Sequence, residues 1–313
     1  MESEVRSSPV LIRLSSWYDS LAKESNIRQV ERATINFALA GFLLHLSLIF
    51  LVRHGVFGST MLAQLPDNYL KVIYTPFSII LFYEVLTLVI ILPKSIAIFI
   101  AKQYEIITLI AIRSFFHDIA EYDLDKPDIY TVEFLKEIGL DLLGALLLFF
   151  LTVVYYRIFA QVKKLPADPS AKRTRYIRIK KAAAVILCGL LLVLSVVSLT
   201  GWLAEVYRAG TDGGRFPNPN GVFYKDFFGA MIFVDVFLLM LSSIYSRTYD
   251  LIFRNAGFVI STILVRIALT AEKPFTIYIS LIAVLFGVLL IALFAFYNHK
   301  PLPEYTIGQD DGD

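Results

Sequence analysis

The segment 275–298, FTIYISLIAVLFGVLLIALFAFYN, decides the class of this protein because it contains no charged residue. About 20 largely apolar residues in a helix cross a hydrocarbon core about 30 Å thick. Segment 138–160, IGLDLLGALLLFFLTVVYYRIFA, has the same character, with Asp141 near one end. Neither run alternates in polarity with a period of two, as a barrel strand would. Inside lipid, helices and closed barrels are the structures that satisfy their own backbone groups. The whole chain agrees, at 57% hydrophobic and 18% charged residues over 313 positions. A soluble chain runs at about 45–50% apolar and about 25% charged. The expected fold is an all-α integral membrane protein, and a soluble enzyme is excluded.

Hydropathy and helix breakers divide the chain into eight spans, at 32–53, 70–99, 103–120, 138–160, 178–204, 224–246, 254–271 and 275–298. Pro93 should kink or end the second and make Lys94 a boundary residue. With an even number of spans both termini share one side. If that side is the cytoplasm, it carries more than twice as many Lys and Arg as the other, as the positive-inside rule requires. About thirty polar and mixed residues precede the first run, so the N-terminus does not read as a cleavable signal. The expected organisation is a cytoplasmic amphipathic segment 1–30, a first four-helix unit 31–162, a basic cytoplasmic linker 163–177, a second four-helix unit 178–299 and an acidic cytoplasmic tail 300–313.

The run from Lys163 to Lys181, KKLPADPSAKRTRYIRIKK, is strongly basic. Lys163, Lys164, Lys172, Arg173, Arg175, Arg178, Lys180 and Lys181 are expected against anionic lipid headgroups, each adding about 1 kcal/mol near the surface. Orientation and lipid contact account for this charge, and no nucleic-acid partner is expected. Before the first span, Ser8-Pro9 reads as a helix start. Leu11, Leu14, Trp17, Tyr18 and Leu21 then recur at helical spacing. This amphipathic helix would lie in the interface, or pack beneath the bundle.

The two halves repeat weakly. ILFYEVLTLVI and YEIITLIAIRSFF in the first correspond to MIFVDVFLLML and GFVISTILVRIAL in the second. Glu84 thereby matches Asp235, Thr108 matches Ser261 and Arg113 matches Arg266. An even number of spans per half gives both repeats the same orientation. A charge at mid-membrane costs at least about 2.5–3.5 kcal/mol and faces the protein interior. Glu84–Arg113 and Asp235–Arg266 are therefore expected as intramembrane ion pairs, each guanidinium offering a planar fork to a carboxylate. Such pairs either fix helix packing or line a polar path, to which His45, Thr108 and Ser261 would belong.

Glu84 followed by Thr108-Leu109-Ile110-Ala111-Ile112-Arg113, and more loosely Asp235 followed by Ser261 to Arg266, resembles the phosphate-starvation-inducible PsiE family of four-span bacterial membrane proteins. The resemblance implies two such units in tandem; the family has no established activity to carry over. Four-helix units with acid and arginine also look like voltage-sensor domains. The fourth spans here lack the arginine ladder that voltage sensing needs.

No phosphate loop, HExxH or GxSxG motif is present. Of the four histidines only His45 is deep, so paired haem ligation is not expected. The acids of Asp118–Glu137 lack the spacing of a calcium loop. Neither a cofactor nor a metal is expected. Two readings follow, a non-enzymatic membrane subunit or scaffold and a small-ion or proton channel or transporter using the two pairs. The first implies a homo-oligomer or a larger membrane complex as its setting.

Overall fold

In the computed structural model, residues 9–54, 72–121, 131–162, 171–212, 222–245 and 249–299 are described. Helices follow one another as α1 (Pro9–Leu21), α2 (Glu24–Arg53), α3 (Tyr74–Ile91), α4 (Ile96–Glu121), α5 (Val132–Gln161), α6 (Ala171–Asp212), α7 (Val222–Tyr245), α8 (Tyr249–Thr270) and α9 (Phe275–His299). There is no strand among the described residues.

Among the described residues, five stretches are long and apolar enough to cross a membrane: Glu24–Leu51, Phe134–Gln161, Thr174–Ser198, Ile252–Thr270 and Phe275–Tyr297. The apolar parts of α3 and α7, Thr75–Ile91 and Gly229–Leu238, are shorter. Helix α4 instead carries Lys102, Glu105 and Arg113 along its length. A multi-pass helical membrane protein follows from these apolar helices.

Pro93 ends α3 earlier than the expected span 70–99. The chain turns through Leu92–Ser95, where the Leu92 and Lys94 amides donate to Val89 and Ile91 carbonyls at 3.3 and 2.8 Å. Pro93 cannot donate to the preceding turn, and its ring crowds the carbonyl four residues back, so the helix stops there. Helix α4 restarts at Ile96, which places Lys102 inside a helix and not in the connection between spans. The basic segment 163–177 is likewise no continuous linker, because α6 begins at Ala171. Among the N-terminal readings, the helix start at Ser8 lies outside the described residues, while Pro9 is the first residue of α1.

Helices α4, α5, α8 and α9 pack around one core in which Tyr104, Tyr155, Phe258, Val284 and Ile291 are buried. A second core lies on its flank, where Val85 and Leu88 of α3 meet Leu187 and Leu191 of α6 and Phe227 and Met231 of α7. Helix α2 packs chiefly on α3, and α1 on α6. Tyr18 anchors α1: it is buried, and its hydroxyl donates to the Ile90 carbonyl at 2.6 Å. Burial, aided by the neighbouring Asp19, pushes its phenol up to about 12, so the hydroxyl keeps its proton. Of the two placements open to α1, the structure therefore has it packed on the bundle through Tyr18. Leu11 and Leu14 are half-buried, while Val10, Ile12, Trp17 and Leu21 remain exposed.

Much of the outer surface is apolar. Phe37, Phe233 and Phe296 are each at least 70% exposed, and Leu142, Leu143, Leu146, Phe149 and Phe150 form an open face along α5. An exposed apolar belt of this extent would be unstable in water and suits a hydrocarbon surround.

Close approach within the central core depends on glycine. Tyr104 reaches from α4 to α9, where a Cβ at position 287 would overlap its hydroxyl. Leu290 fills the space beside Gly257 in the same way. Small residues let membrane helices approach closely enough for dispersion contacts to hold them. Gly287→Ala should therefore cost about 1–3 kcal/mol by overpacking, read as a lower unfolding midpoint of the detergent-solubilised protein. Adding Tyr104→Phe should recover part of that loss. An unchanged midpoint for Gly287→Ala would refute the close packing.

Candidate functional site

The site is best built from the buried polar side chains, since each needs a partner in a medium without water. Asp235 on α7 and Arg266 on α8 meet directly, with Arg266 Nη2 donating to Asp235 Oδ2 at 2.8 Å. Their side chains are 4% and 2% exposed, so the pair is buried.

Glu84 does not meet Arg113. Its partner is Lys102 on α4, and Lys102 also donates to Glu105 Oε2 at 2.7 Å. Tyr156 on α5 donates its hydroxyl to the other Glu105 oxygen at 2.5 Å. The reason is hairpin register. Glu84 and Lys102 both lie about nine residues from the α3–α4 turn, whereas Arg113 lies eleven residues, or roughly 16 Å, further along α4. Sharing adjacent spans placed Glu84 and Arg113 side by side in order but not in depth. Once Pro93 is taken as the turn, counting residues outward on both sides points to Lys102.

His45 Nδ1 is 2.7 Å from Thr75 Oγ1, joining α2 to α3. Thr108 donates to the Tyr104 carbonyl at 2.8 Å and lies 3.5 Å from Thr152 Oγ1. Ser261 donates to the Ala283 carbonyl at 2.8 Å, so the Tyr104 hydroxyl, 2.6 Å away, is the donor to Ser261. These polar residues fasten α2–α3, α4–α5 and α4–α8–α9. They are separate clips and do not form one continuous path.

Of the basic run, Lys163 and Lys164 lie outside the described residues. Lys172 and Arg173 lie on α6. Arg175 is exposed and Arg178 half-buried. Lys181 binds Asp19 of α1 at 2.6 Å, with its ammonium 5.6 Å from the centre of the Tyr18 ring. Lys180 departs from the headgroup expectation: it is 4% exposed and donates to the Lys94 carbonyl at 2.8 Å. It points into the bundle because its place on α6 faces the α3–α4 turn, whose carbonyls lack helical partners.

Beside Lys180 lies a cavity of about 30 Å³. Its polar rim consists of Tyr176, Lys180, Asp235, Asn255 and Thr262, and its apolar wall includes Leu92, Ile96, Phe99 and Ile100. The sequence singled out Asp235, and Lys180 in another role, but not Tyr176, Asn255 or Thr262. Asn255 adjoins Arg254 and Thr262 lies four residues before Arg266, spacings that give no signal of a shared cavity.

At the opposite end of the bundle, Lys273 in the α8–α9 turn binds Asp118 of α4 and Asp141 of α5, the latter at 2.9 Å. Burial alone would lower the Lys273 ammonium, but the two carboxylates outweigh it and raise it above the ordinary lysine range. A raised value means the clamp is fully present below the ordinary lysine range and is lost only as pH rises through the raised value.

Breaking one partner of a buried pair strands the other charge and costs about 3–5 kcal/mol. Asp235→Asn and Arg266→Met should each lower the unfolding midpoint far more than Glu84→Gln, whose carboxylate sits in a partly exposed cluster. The double variant Asp235→Asn/Arg266→Met should be more stable than either single variant. Additive losses in that cycle would refute the pairing.

No family model, no curated protein and no solved structure matches this chain.

Proposed function

We propose that this chain is a non-enzymatic polytopic membrane protein, a subunit or scaffold, made of two like-oriented four-helix units, α2–α5 and α6–α9. In this reading all eight of these helices span the bilayer and both termini are cytoplasmic. The observation that carries the scaffold role is the Asp235–Arg266 pair, whose two charges are buried and spent on each other. A pair in that state holds α7 to α8 and presents no free charge to a passing ion.

The pattern of helix neighbours supports the two-unit organisation. Within the first unit α2 packs on α3, α3 on α4 and α4 on α5; α6, α7, α8 and α9 follow the same order in the second. Across the units α4 packs on α8 and α5 on α9, which are corresponding helices. Helix α1 on α6 has no counterpart and marks where the units differ. The resemblance to the four-span PsiE family belongs to this same proposal. The cytoplasmic assignment rests on the basic residues near the α3–α4 turn, including Lys94, Arg175, Arg178 and Lys181, as the positive-inside rule expects.

A second reading, movement of protons or small ions, draws on the cavity beside Asp235, since intramembrane polar cavities are where such pathways form. Flux measurements in proteoliposomes separate the two. The scaffold reading expects no proton or small-ion flux above that of empty liposomes, for the wild type, Glu84→Gln and Asp235→Asn alike. Wild-type flux that disappears in Asp235→Asn would replace it with transport.

A further inference from the structure

The charge balance around the cavity is uneven. Lys180 is a buried cation that donates to the neutral Lys94 carbonyl at 2.8 Å and lies 5.5 Å from the Tyr176 ring centre. No carboxylate among the described residues forms an ion pair with it. Asp235, the acid on the cavity rim, is engaged by Arg266. One acid thus faces two cations.

The neighbouring groups add both donors and acceptors. Asn255 takes Arg254 N–H groups on its Oδ1 at 3.1 and 3.3 Å, which brings a further guanidinium to the rim. Thr262 spends its hydroxyl hydrogen on the Phe258 carbonyl at 3.0 Å. Gln103 lies one turn of α4 beyond Phe99 and Ile100, which line the cavity. It is 3% exposed, and neither its amide nitrogen nor its oxygen has a partner. A buried amide in that state marks a place where a small polar species belongs.

We propose that this cavity is a binding site for a small monatomic anion of chloride size, with the Lys180 ammonium as its principal ligand. A volume of about 30 Å³ holds roughly two particles of water size, which accommodates a halide and leaves no room for a phosphate headgroup. The anion supplies the counter-charge that Lys180 lacks. It also ties α6 and α8 to the α3–α4 turn, so its binding stabilises the fold. This assignment concerns a bound ion and is independent of whether the protein conducts.

The test is thermal unfolding of the purified full-length protein in detergent, with sodium chloride titrated against sodium gluconate at constant ionic strength. A ligand that binds the folded state raises the midpoint with concentration. The expected result is a saturating rise of a few degrees in chloride, reproduced by bromide. Lys180→Met should lose that response, while Lys181→Met, altered at the Asp19 contact, should keep it. Equal midpoints in chloride and gluconate, or an unchanged chloride response in Lys180→Met, would overturn the proposal. Should Lys180→Met fail to fold, anomalous scattering from wild-type crystals grown in bromide decides. A peak within about 3.5 Å of Lys180 Nζ supports the site, and its absence rejects it.

Discussion

A charge placed in hydrocarbon must be matched locally, because neither water nor bulk ions can reach it to do so. Much of this structure follows from that requirement. Asp235, Glu84 and Lys180 are each reached by a group from outside their own helix, so meeting the requirement also joins helices. Asp235 and Arg266 join α7 to α8, and Lys102 with Glu84 joins α4 to α3. Lys180 joins α6 to the turn between α3 and α4. Apolar packing alone gives little directional preference among helices in lipid, where the surroundings are as apolar as the interface. The polar contacts supply the register.

The fold class was legible because apolar run length and the lack of period-two alternation are properties of local sequence. Helix order was legible for the same reason, with Pro93 marking the α3–α4 turn. Depth was not, and Glu84 shows why. Its partner depends on where the hairpin bends: a bend at Pro93 puts Lys102 opposite, whereas Arg113 would need the bend five or six residues further along the chain. Asp235 and Arg266 meet despite a comparable uncertainty, since Arg266 has a long side chain and α7 and α8 are packed together. The direction a lysine faces was equally hidden. Lys180 and Lys181 are adjacent in a basic run, yet one turns into the bundle and the other grips α1. About 100° of helix rotation separates them, and which side faces inward is decided by α3 and α4, far away in the chain.

Apart from the Asp235–Arg266 and Glu84–Lys102 pairs, the polar clips divide into two kinds. Those in the central core are neutral and short-range, such as Tyr104 with Ser261 and Thr108 with Thr152. Those at the bundle ends are charged, as with Lys273 between Asp118 and Asp141 and Lys181 with Asp19. Neutral hydrogen bonds carry little desolvation cost once satisfied, which suits the middle of the membrane. Charged contacts lose less near an interface, where part of each group stays hydrated.

Tyr104 threaded over Gly287 has a mechanical consequence. The ring engages α8 through Ser261 while its tip occupies the only space that α9 leaves open to it, so α4, α8 and α9 turn as one body. Sliding any one of them by a helical turn would drive the hydroxyl into a neighbouring backbone. Ile277 of α9 fills the space beside Gly144 of α5 in the same way, so α5 belongs to that body and the four central helices act as a stator.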